Sequence, residues 1–464
     1  MSEKLFGTDG VRGIPGREPL TPDTIRRIAY HAARSLLRRR GAGTNGAAPR
    51  IALGRDTRAS GAGIARDLAR GFSAAGAATL DLGVIPTPGV SYLVPRVGAF
   101  AGVVVSASHN PAEYNGIKFF DADGFKMPPE LEAEVEEGVR APKDEAGLVI
   151  AARGVPGMVK GLDLVPRYRD FLRSTFPATR DLDGVRLVVD CANGAAAAFA
   201  PALLGSLGAE VIAIGVKPNG RNINAGCGAL AADAMGREVR RRRADAGVAF
   251  DGDADRALVC DEQGELLDGD AVIGAAAVRL LSRGALKGGK VALTVMSNYG
   301  LIRFLGERGV SVVTTPVGDK HVTDAIEREG LSLGGENSGH VVFRDFAPTG
   351  DGMLTALQTL AAWRESGEPM SALRRLYAPT PQTLRALRVA AKPALEGLNR
   401  TQAEISRASS ALEGRGRVFV RYSGTESVLR VLVEGPDVAE NARLAESVAK
   451  TYFSETGQNE EAHP

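Results

Sequence analysis

The chain is poor in the residues that staple secreted folds. Its three cysteines, Cys191, Cys227 and Cys260, are an odd number without paired spacing among 464 residues. That argues against a disulfide framework or a cysteine-built zinc site and fits a reducing, cytoplasmic setting. Aromatic residues are scarce, at 5% with a single tryptophan, which leaves little for stacking bases. An excess of charge of either sign is also lacking: 57 lysines and arginines stand against 55 aspartates and glutamates, a formal net charge of +2. The whole-molecule field therefore supplies no case for nucleic acid or an anionic membrane as a partner. Two basic runs, Arg38-Arg39-Arg40 and Arg240-Arg241-Arg242-Arg243, lie in alanine-rich helical stretches and read as solvated helix faces or ends. No apolar run reaches the roughly 18 residues that cross a bilayer, and the N-terminus has no apolar signal core.

What remains is ordinary globular composition, 44% apolar and 24% charged, at a length that calls for about three domains and readily accommodates four. Three segments open alike, with a basic residue and a short apolar run: Arg50-Ile51-Ala52-Leu53, Arg186-Leu187-Val188-Val189 and Lys290-Val291-Ala292-Leu293. Each reads as a buried strand followed by a helix, a second strand (Ala78 to Val84, Glu210 to Val216, Ser311 to Thr315) and a third. The third strands are expected at Val103-Val104-Val105, Val248-Ala249-Phe250 and Leu331-Ser332-Leu333, and each runs into the most unusual loop of its segment. Ligands of open α/β sheets gather beyond the carboxyl ends of strands, so three diverged copies would each lend a loop to a shared cleft. After Tyr377-Ala378-Pro379-Thr380-Pro381 the texture changes to strand, helix and two strands around a turn. The expectation is three related α/β domains with mixed sheets and a C-terminal α+β domain around a central cleft, divided at 1–157, 158–259, 260–376 and 377–464.

Two matches to nucleotide motifs fail on context. Gly41-Ala42-Gly43-Thr44-Asn45-Gly46 follows a helix and precedes a strand, the reverse of a dinucleotide fingerprint. Gly284-Ala285-Leu286-Lys287-Gly288-Gly289-Lys290 has Val291 where a P-loop needs a hydroxyl. Both read as turns.

Four loops carry chemistry. Asp251-Gly252-Asp253-Ala254-Asp255-Arg256 puts three carboxylates at alternate positions with small residues between them, an oxygen-only donor set that suits Mg²⁺. An EF-hand would need glycine where Arg256 stands, and helices rather than strands beside it. Ser106-Ala107-Ser108-His109-Asn110-Pro111 follows an apolar strand and presents a hydroxyl at a sharp turn. A serine can carry a phosphoryl group if a cation neutralises the phosphate. Arg421-Tyr422-Ser423-Gly424-Thr425-Glu426-Ser427 combines a guanidinium, hydroxyls and a glycine, a set fitted to a phosphate dianion. In Gly334-Gly335-Glu336-Asn337-Ser338-Gly339-His340, Glu336 and Ser338 alternate so as to grasp sugar hydroxyls.

These four loops, in this order, resemble the α-D-phosphohexomutase superfamily over essentially the whole chain. The resemblance implies that Ser108 is phosphorylated and that Asp251, Asp253 and Asp255, with the serine phosphate, bind Mg²⁺. It further implies that Arg256, Glu336 and Ser338 meet the sugar, and that Arg421, Ser423, Gly424, Thr425 and Arg430 hold the phosphate not being transferred. Arg12 and Lys118 match basic residues beside the serine and, with His109, are candidates for charge stabilisation and proton transfer. The opening Phe6-Gly7-Thr8-Asp9-Gly10-Val11-Arg12-Gly13, together with Met296-Ser297-Asn298, resembles the phosphoglucosamine mutases of that superfamily. That likeness implies interconversion of glucosamine 6-phosphate and glucosamine 1-phosphate through a bisphosphorylated sugar, for UDP-N-acetylglucosamine and the cell wall, by a cytoplasmic monomer or homodimer. The alternatives are a phosphomannomutase/phosphoglucomutase with the same chemistry and a non-catalytic sugar-phosphate sensor.

Overall fold

Strands buried on both faces tolerate only unbroken apolar runs, and the chain supplies one such run as the third strand of each of its first two segments. The computed structural model describes residues 4–7, 9–40, 49–141, 158–423 and 427–459. The first sheet comprises β1 (Val11–Gly13), β2 (Arg50–Arg55), β3 (Ala78–Val84), β4 (Ala101–Val105), β5 (Asn115–Phe120) and β6 (Met158–Lys160), in the order β1-β5-β4-β2-β3-β6. Strand β2 is parallel to β3 and β4, while β5 folds back antiparallel on β4. The second sheet, β7 (Arg186–Asp190), β8 (Glu210–Ile214), β9 (Ala246–Phe250), β10 (Ala257–Cys260) and β11 (Leu266–Leu267), repeats the plan in the order β11-β10-β9-β7-β8. The third, β12 (Lys290–Thr294), β13 (Ser311–Thr315), β14 (Leu333–Gly335) and β15 (Val341–Phe343), follows the order β13-β12-β14-β15.

The mixed α/β sheets and a last, antiparallel sheet accord with the expected fold class. The sheets run past the segment limits read from the sequence: β6 closes the edge of the first sheet beyond residue 157, and β11 belongs to the second beyond 259. Leu331-Ser332 is not strand. Leu331 N–H donates to Ile326 O at the end of the preceding helix, and Ser332 Oγ donates to Ala285 O, so pairing begins at Leu333. The near P-loop is a turn, with Gly284 at φ +65° and Gly288 at +66°. The turn expected over 41–46 lies outside the described residues. Among the described residues no helix is long and apolar enough to cross a membrane.

The helices Pro22–Arg40, Gly61–Ala74 and Pro129–Arg140 cover the first sheet, burying Ile28, Leu68, Phe72 and Val135 against Ile51, Leu53 and Val103. The helix Gly352–Ser366 is buried nearly all round, and its N-cap, Asp351, accepts from Leu354 N–H at 3.0 Å.

By compactness the chain forms two units, residues 1–294 with 313–376, and residues 295–312 with 377–464. In the second unit β16 (Gln382–Arg388), β17 (Arg417–Tyr422) and β18 (Val428–Glu434) form an antiparallel sheet in the order β16-β18-β17. Leu429, Val431 and Val433 of β18 pack against Leu444, Val448 and Tyr452 of the helix Val438–Thr456.

Candidate active site

All four loops singled out in the sequence connect antiparallel neighbours. The serine loop joins β4 to β5, the aspartate loop β9 to β10, the Glu336 loop β14 to β15, and the Arg421 loop β17 to β18. The strands beside the aspartates exclude the EF-hand.

Ser108 is 1% exposed and has φ +50°, a left-handed conformation that a residue with a β-carbon adopts only when its surroundings impose it. Its N–H donates to Ser106 Oγ at 2.9 Å, and Ser106 Oγ donates in turn to Asp56 Oδ2 at 2.7 Å. Its Oγ donates to Asp251 Oδ2 at 2.6 Å and lies 3.4 Å from His109 Nδ1. The expected nucleophile and the first expected metal ligand are thus in direct contact. Gly252 makes this possible: a β-carbon there would stand 2.6 Å from Ser108 O.

Asp251, Asp253 and Asp255 are buried, and ligand oxygens from all three lie within 4.8 Å of one another. Asp253 Oδ2 accepts from Thr87 Oγ1 at 2.7 Å and Lys118 Nζ at 2.9 Å; Asp255 Oδ2 accepts from Lys118 at 3.3 Å. The other oxygens, Asp253 Oδ1 and Asp255 Oδ1, are buried and have no hydrogen-bond partner among the described residues. Buried carboxylate oxygens without donors are costly, and a hard cation satisfies them, so the residues present fit a divalent metal. Burial, with the charges of Asp255 and Asp253, pushes the Asp251 carboxyl well above its usual range. Burial acts the same way on Asp255, but Lys118 foremost outweighs it and holds that carboxyl low.

Lys118 is the hub of an alternating charge network. It pairs with Asp9 at 2.7 Å as well as with Asp253 and Asp255. Asp9 also meets Arg12 at 2.8 Å and Lys126 at 2.6 Å; Lys126 pairs with Asp319, and His340 Nε2 lies 3.7 Å from Asp319. Burial disfavours the charge on Lys118, yet Asp253, Asp9 and Asp255 prevail and keep it protonated. His109 moves the other way: burial, then Arg256 and Arg12, lower its pKa and favour neutral imidazole. Arg12 reaches the serine loop through Asn110 Oδ1 at 3.2 Å. Arg256 Nε lies 3.9 Å from Asp255 Oδ1.

The Glu336 loop abuts the aspartate loop, where Ala257 N–H donates to Gly339 O at 3.1 Å and His340 Nδ1 comes within 4.0 Å of Asp255 Oδ1. Glu336 is 7% exposed and accepts from Gly318 N–H at 3.0 Å; Ser338 Oγ is buried and has no hydrogen-bond partner among the described residues. In the second unit Arg421 and Arg430 are partners across β17 and β18, and burial together with Arg430 works against the charge on Arg421. Like charges facing across a ladder repel, and an anion between them removes the penalty. Ser423 is buried at the end of β17, and Gly424 and Thr425 lie outside the described residues.

Sequence reasoning missed Asp9, Asp56, Thr87 and Lys126. Asp9 stood in the quoted opening, and the charges of Arg55-Asp56-Thr57-Arg58 at the end of an apolar strand were the visible signal for Asp56. Thr87 begins a helix and carried no signal.

Models of the phosphoglucomutase/phosphomannomutase family match this chain in order: alpha/beta/alpha domain I over residues 3–146, domain II over 166–264, domain III over 268–380 and the C-terminal domain over 384–451. A phosphoglucosamine mutase of Cereibacter sphaeroides is 46% identical over 441 residues, 95% of this chain and 96% of its own. Among solved structures, a phosphoglucomutase/phosphomannomutase family protein from Burkholderia thailandensis has TM-score 0.80 at 23% identity over 99% of each chain. An Aspergillus fumigatus N-acetylphosphoglucosamine mutase, in complex with GlcNAc-6P and magnesium, has TM-score 0.66 at 20% identity over 97% of this chain and 96% of its own.

Proposed function

We infer the chemistry from one premise: this chain belongs to the phosphoglucomutase/phosphomannomutase family. Its activity is that of a phosphoglucosamine mutase, an intramolecular phosphotransferase. Ser108 is the phosphoryl carrier. Phospho-Ser108 donates to the free hydroxyl of a glucosamine monophosphate: the bond from phosphorus to Ser108 Oγ breaks, a bond to the sugar oxygen forms, and the hydroxyl proton leaves to a neighbouring base. The bisphosphorylated sugar then turns round, and its other phosphate returns to Ser108. The observation that carries this reading is the 2.6 Å contact between Ser108 Oγ and Asp251, at a backbone conformation held against its own preference.

Asp251, Asp253 and Asp255, with the serine phosphate, would hold Mg²⁺, which when bound neutralises charge on the transferring group. Lys118, kept protonated by its carboxylates, and Arg12 stabilise charge on the phosphoryl oxygens. His109, neutral and beside the serine oxygen, takes the proton of the attacking hydroxyl. Arg256, Glu336 and Ser338 bind the sugar hydroxyls. Arg421 and Arg430, with Ser423, Gly424 and Thr425, hold the phosphate that stays. A bisphosphorylated hexosamine serves as intermediate and as the donor that primes Ser108.

The test is intact-mass analysis of the wild type and Ser108→Ala after incubation with glucosamine 1,6-bisphosphate and Mg²⁺, followed by the mutase assay on glucosamine 6-phosphate. The wild type should gain one phosphate, and the variant should gain none and lose at least about 10³-fold in kcat, the scale of removing a covalent nucleophile. An active alanine variant would sink the reading.

A further inference from the structure

Ser108 O receives two hydrogen bonds from side chains that no role assigned above uses. Arg58 Nη2 donates to Ser108 O at 3.0 Å and to Asn110 O at 2.8 Å. Asn224 Nδ2, from the loop between β8 and β9, donates to the same two carbonyls at 2.9 and 3.0 Å. Arg58 Nη1 continues along the loop to Tyr114 O at 3.0 Å and to Pro111 O. The Arg58 side chain is fully shielded from solvent, and its Nε donates to the equally shielded Asp56 at 2.9 Å. Asp56 holds Ser106, whose hydroxyl receives the Ser108 N–H. The backbone of the carrier serine is therefore gripped at its N–H through Asp56 and at its carbonyl by Arg58 and Asn224.

Asn224 is itself left-handed, at φ +60°, and its N–H donates to Ala192 O at 2.9 Å. Among the described residues the non-glycine residues with positive φ are Ser108, Ala192, Asn193, Asn224, Ala254 and Arg243. Arg243 merely ends a helix, whereas the other five lie in the serine loop, the aspartate loop and the loops that brace them. Strain of this kind persists where neighbours over-determine it.

We propose that Arg58 and Asn224 are positioning residues that clamp the serine loop from two different sheets and keep Ser108 Oγ aimed at the aspartate triad as it alternates between hydroxyl and phosphate. The proposal rests on Ser108 being the phosphoryl carrier. The need for a clamp follows from charge: each half-reaction adds or removes a phosphate bearing roughly −2 at one atom of the loop. Donors on the carbonyls hold the backbone rather than that atom and need not change partners. Neither residue has to touch substrate, so its loss should register in the rate of phosphoryl transfer and leave binding largely alone.

The experiment compares wild type, Asn224→Ala, Arg58→Lys and Arg58→Met in two assays: kcat and KM for glucosamine 6-phosphate, and the rate at which Ser108 gains phosphate from glucosamine 1,6-bisphosphate by intact mass. For Asn224→Ala both kcat and the phosphorylation rate should fall about 10- to 100-fold, the cost of misplacing a reacting atom by about 1 Å, with KM changed less than about threefold. Arg58→Lys, which keeps the charge beside Asp56, should retain more activity than Arg58→Met. A merely structural role would lower the melting temperature and leave kcat per folded molecule intact, and that result in Asn224→Ala overturns the proposal even if the Arg58 variants fail to fold. Should wild-type Ser108 itself take no phosphate, the carrier reading fails instead.

Discussion

Asp351 shows how one buried carboxyl sets a pH dependence. It caps the helix Gly352–Ser366 through Leu354 N–H and accepts from Tyr168 Oη at 2.6 Å, with 1% of its surface exposed. Burial pushes its pKa up from 3.8 to about 6, against the pull of Tyr168 and the helix N-terminus. A raised folded-state value means that the folded protein holds a proton the unfolded chain releases. The stability this group contributes is therefore complete below about pH 4 and lost as pH rises through about 6, up to roughly 3 kcal/mol in all. Asparagine keeps the cap and offers Tyr168 a partner without a charge to bury. Asp351→Asn should match the wild type near pH 4 and exceed it by about 1–2 kcal/mol at pH 7.5, measured by urea denaturation across that range. Parallel pH curves for the two proteins would refute the assignment. The carboxyl was not legible in the sequence, where Asp351 is one acid among many before a helix; its character comes from Tyr168, far away in the chain.

The loops were legible because each follows a short apolar strand, as in Ala101–Val105 and Ala246–Phe250, and because aspartates at alternate positions have few other uses. What sequence spacing cannot convey is register. Arg421 and Arg430 stand nine positions apart, yet antiparallel pairing sets them directly opposite each other. Removing one of two like charges relieves repulsion of about 0.2–1 kcal/mol, whereas removing one charge-assisted partner of a phosphate costs about 1.5–3 kcal/mol. Arg421→Gln should accordingly leave the melting temperature unchanged or slightly higher while raising KM for glucosamine 6-phosphate about 10-fold or more. Steady-state kinetics beside a thermal scan checks both signs. A variant that melts early with unchanged KM would make Arg421 a structural residue of the ladder.

At the scale of the molecule, the repeated β-α-β plan was readable and the membership of one segment was not. Residues 295–312 run from the end of β12 into the start of β13 in sequence but are compact with residues 377–464. The reason is a set of hydrogen bonds by which the segment completes the partners of polar groups among the C-terminal residues. Glu434 is fully buried and accepts from Tyr299 N–H at 3.2 Å, from Gln382 Nε2 at 2.6 Å and from Arg417. Asn298 exchanges two hydrogen bonds with the backbone of Thr380, at 2.8 and 3.0 Å, and Ser297 O accepts from Arg417. Gly300 packs so closely that a β-carbon would stand 2.4 Å from Ala378 O. A polypeptide of residues 377–464 alone would keep its antiparallel sheet and helices, and Glu434 would keep Gln382 and Arg417, but the bonds to Tyr299, Asn298 and Ser297 would be lost, at about 0.5–1.5 kcal/mol net for each, a sizeable part of the 5–15 kcal/mol that stabilises a typical domain. Its amides in β16 and β18 should exchange with solvent at least about 10-fold faster than the same amides in the whole chain. Equal protection in fragment and whole would show that the segment 295–312 contributes nothing to the stability of the unit it sits in.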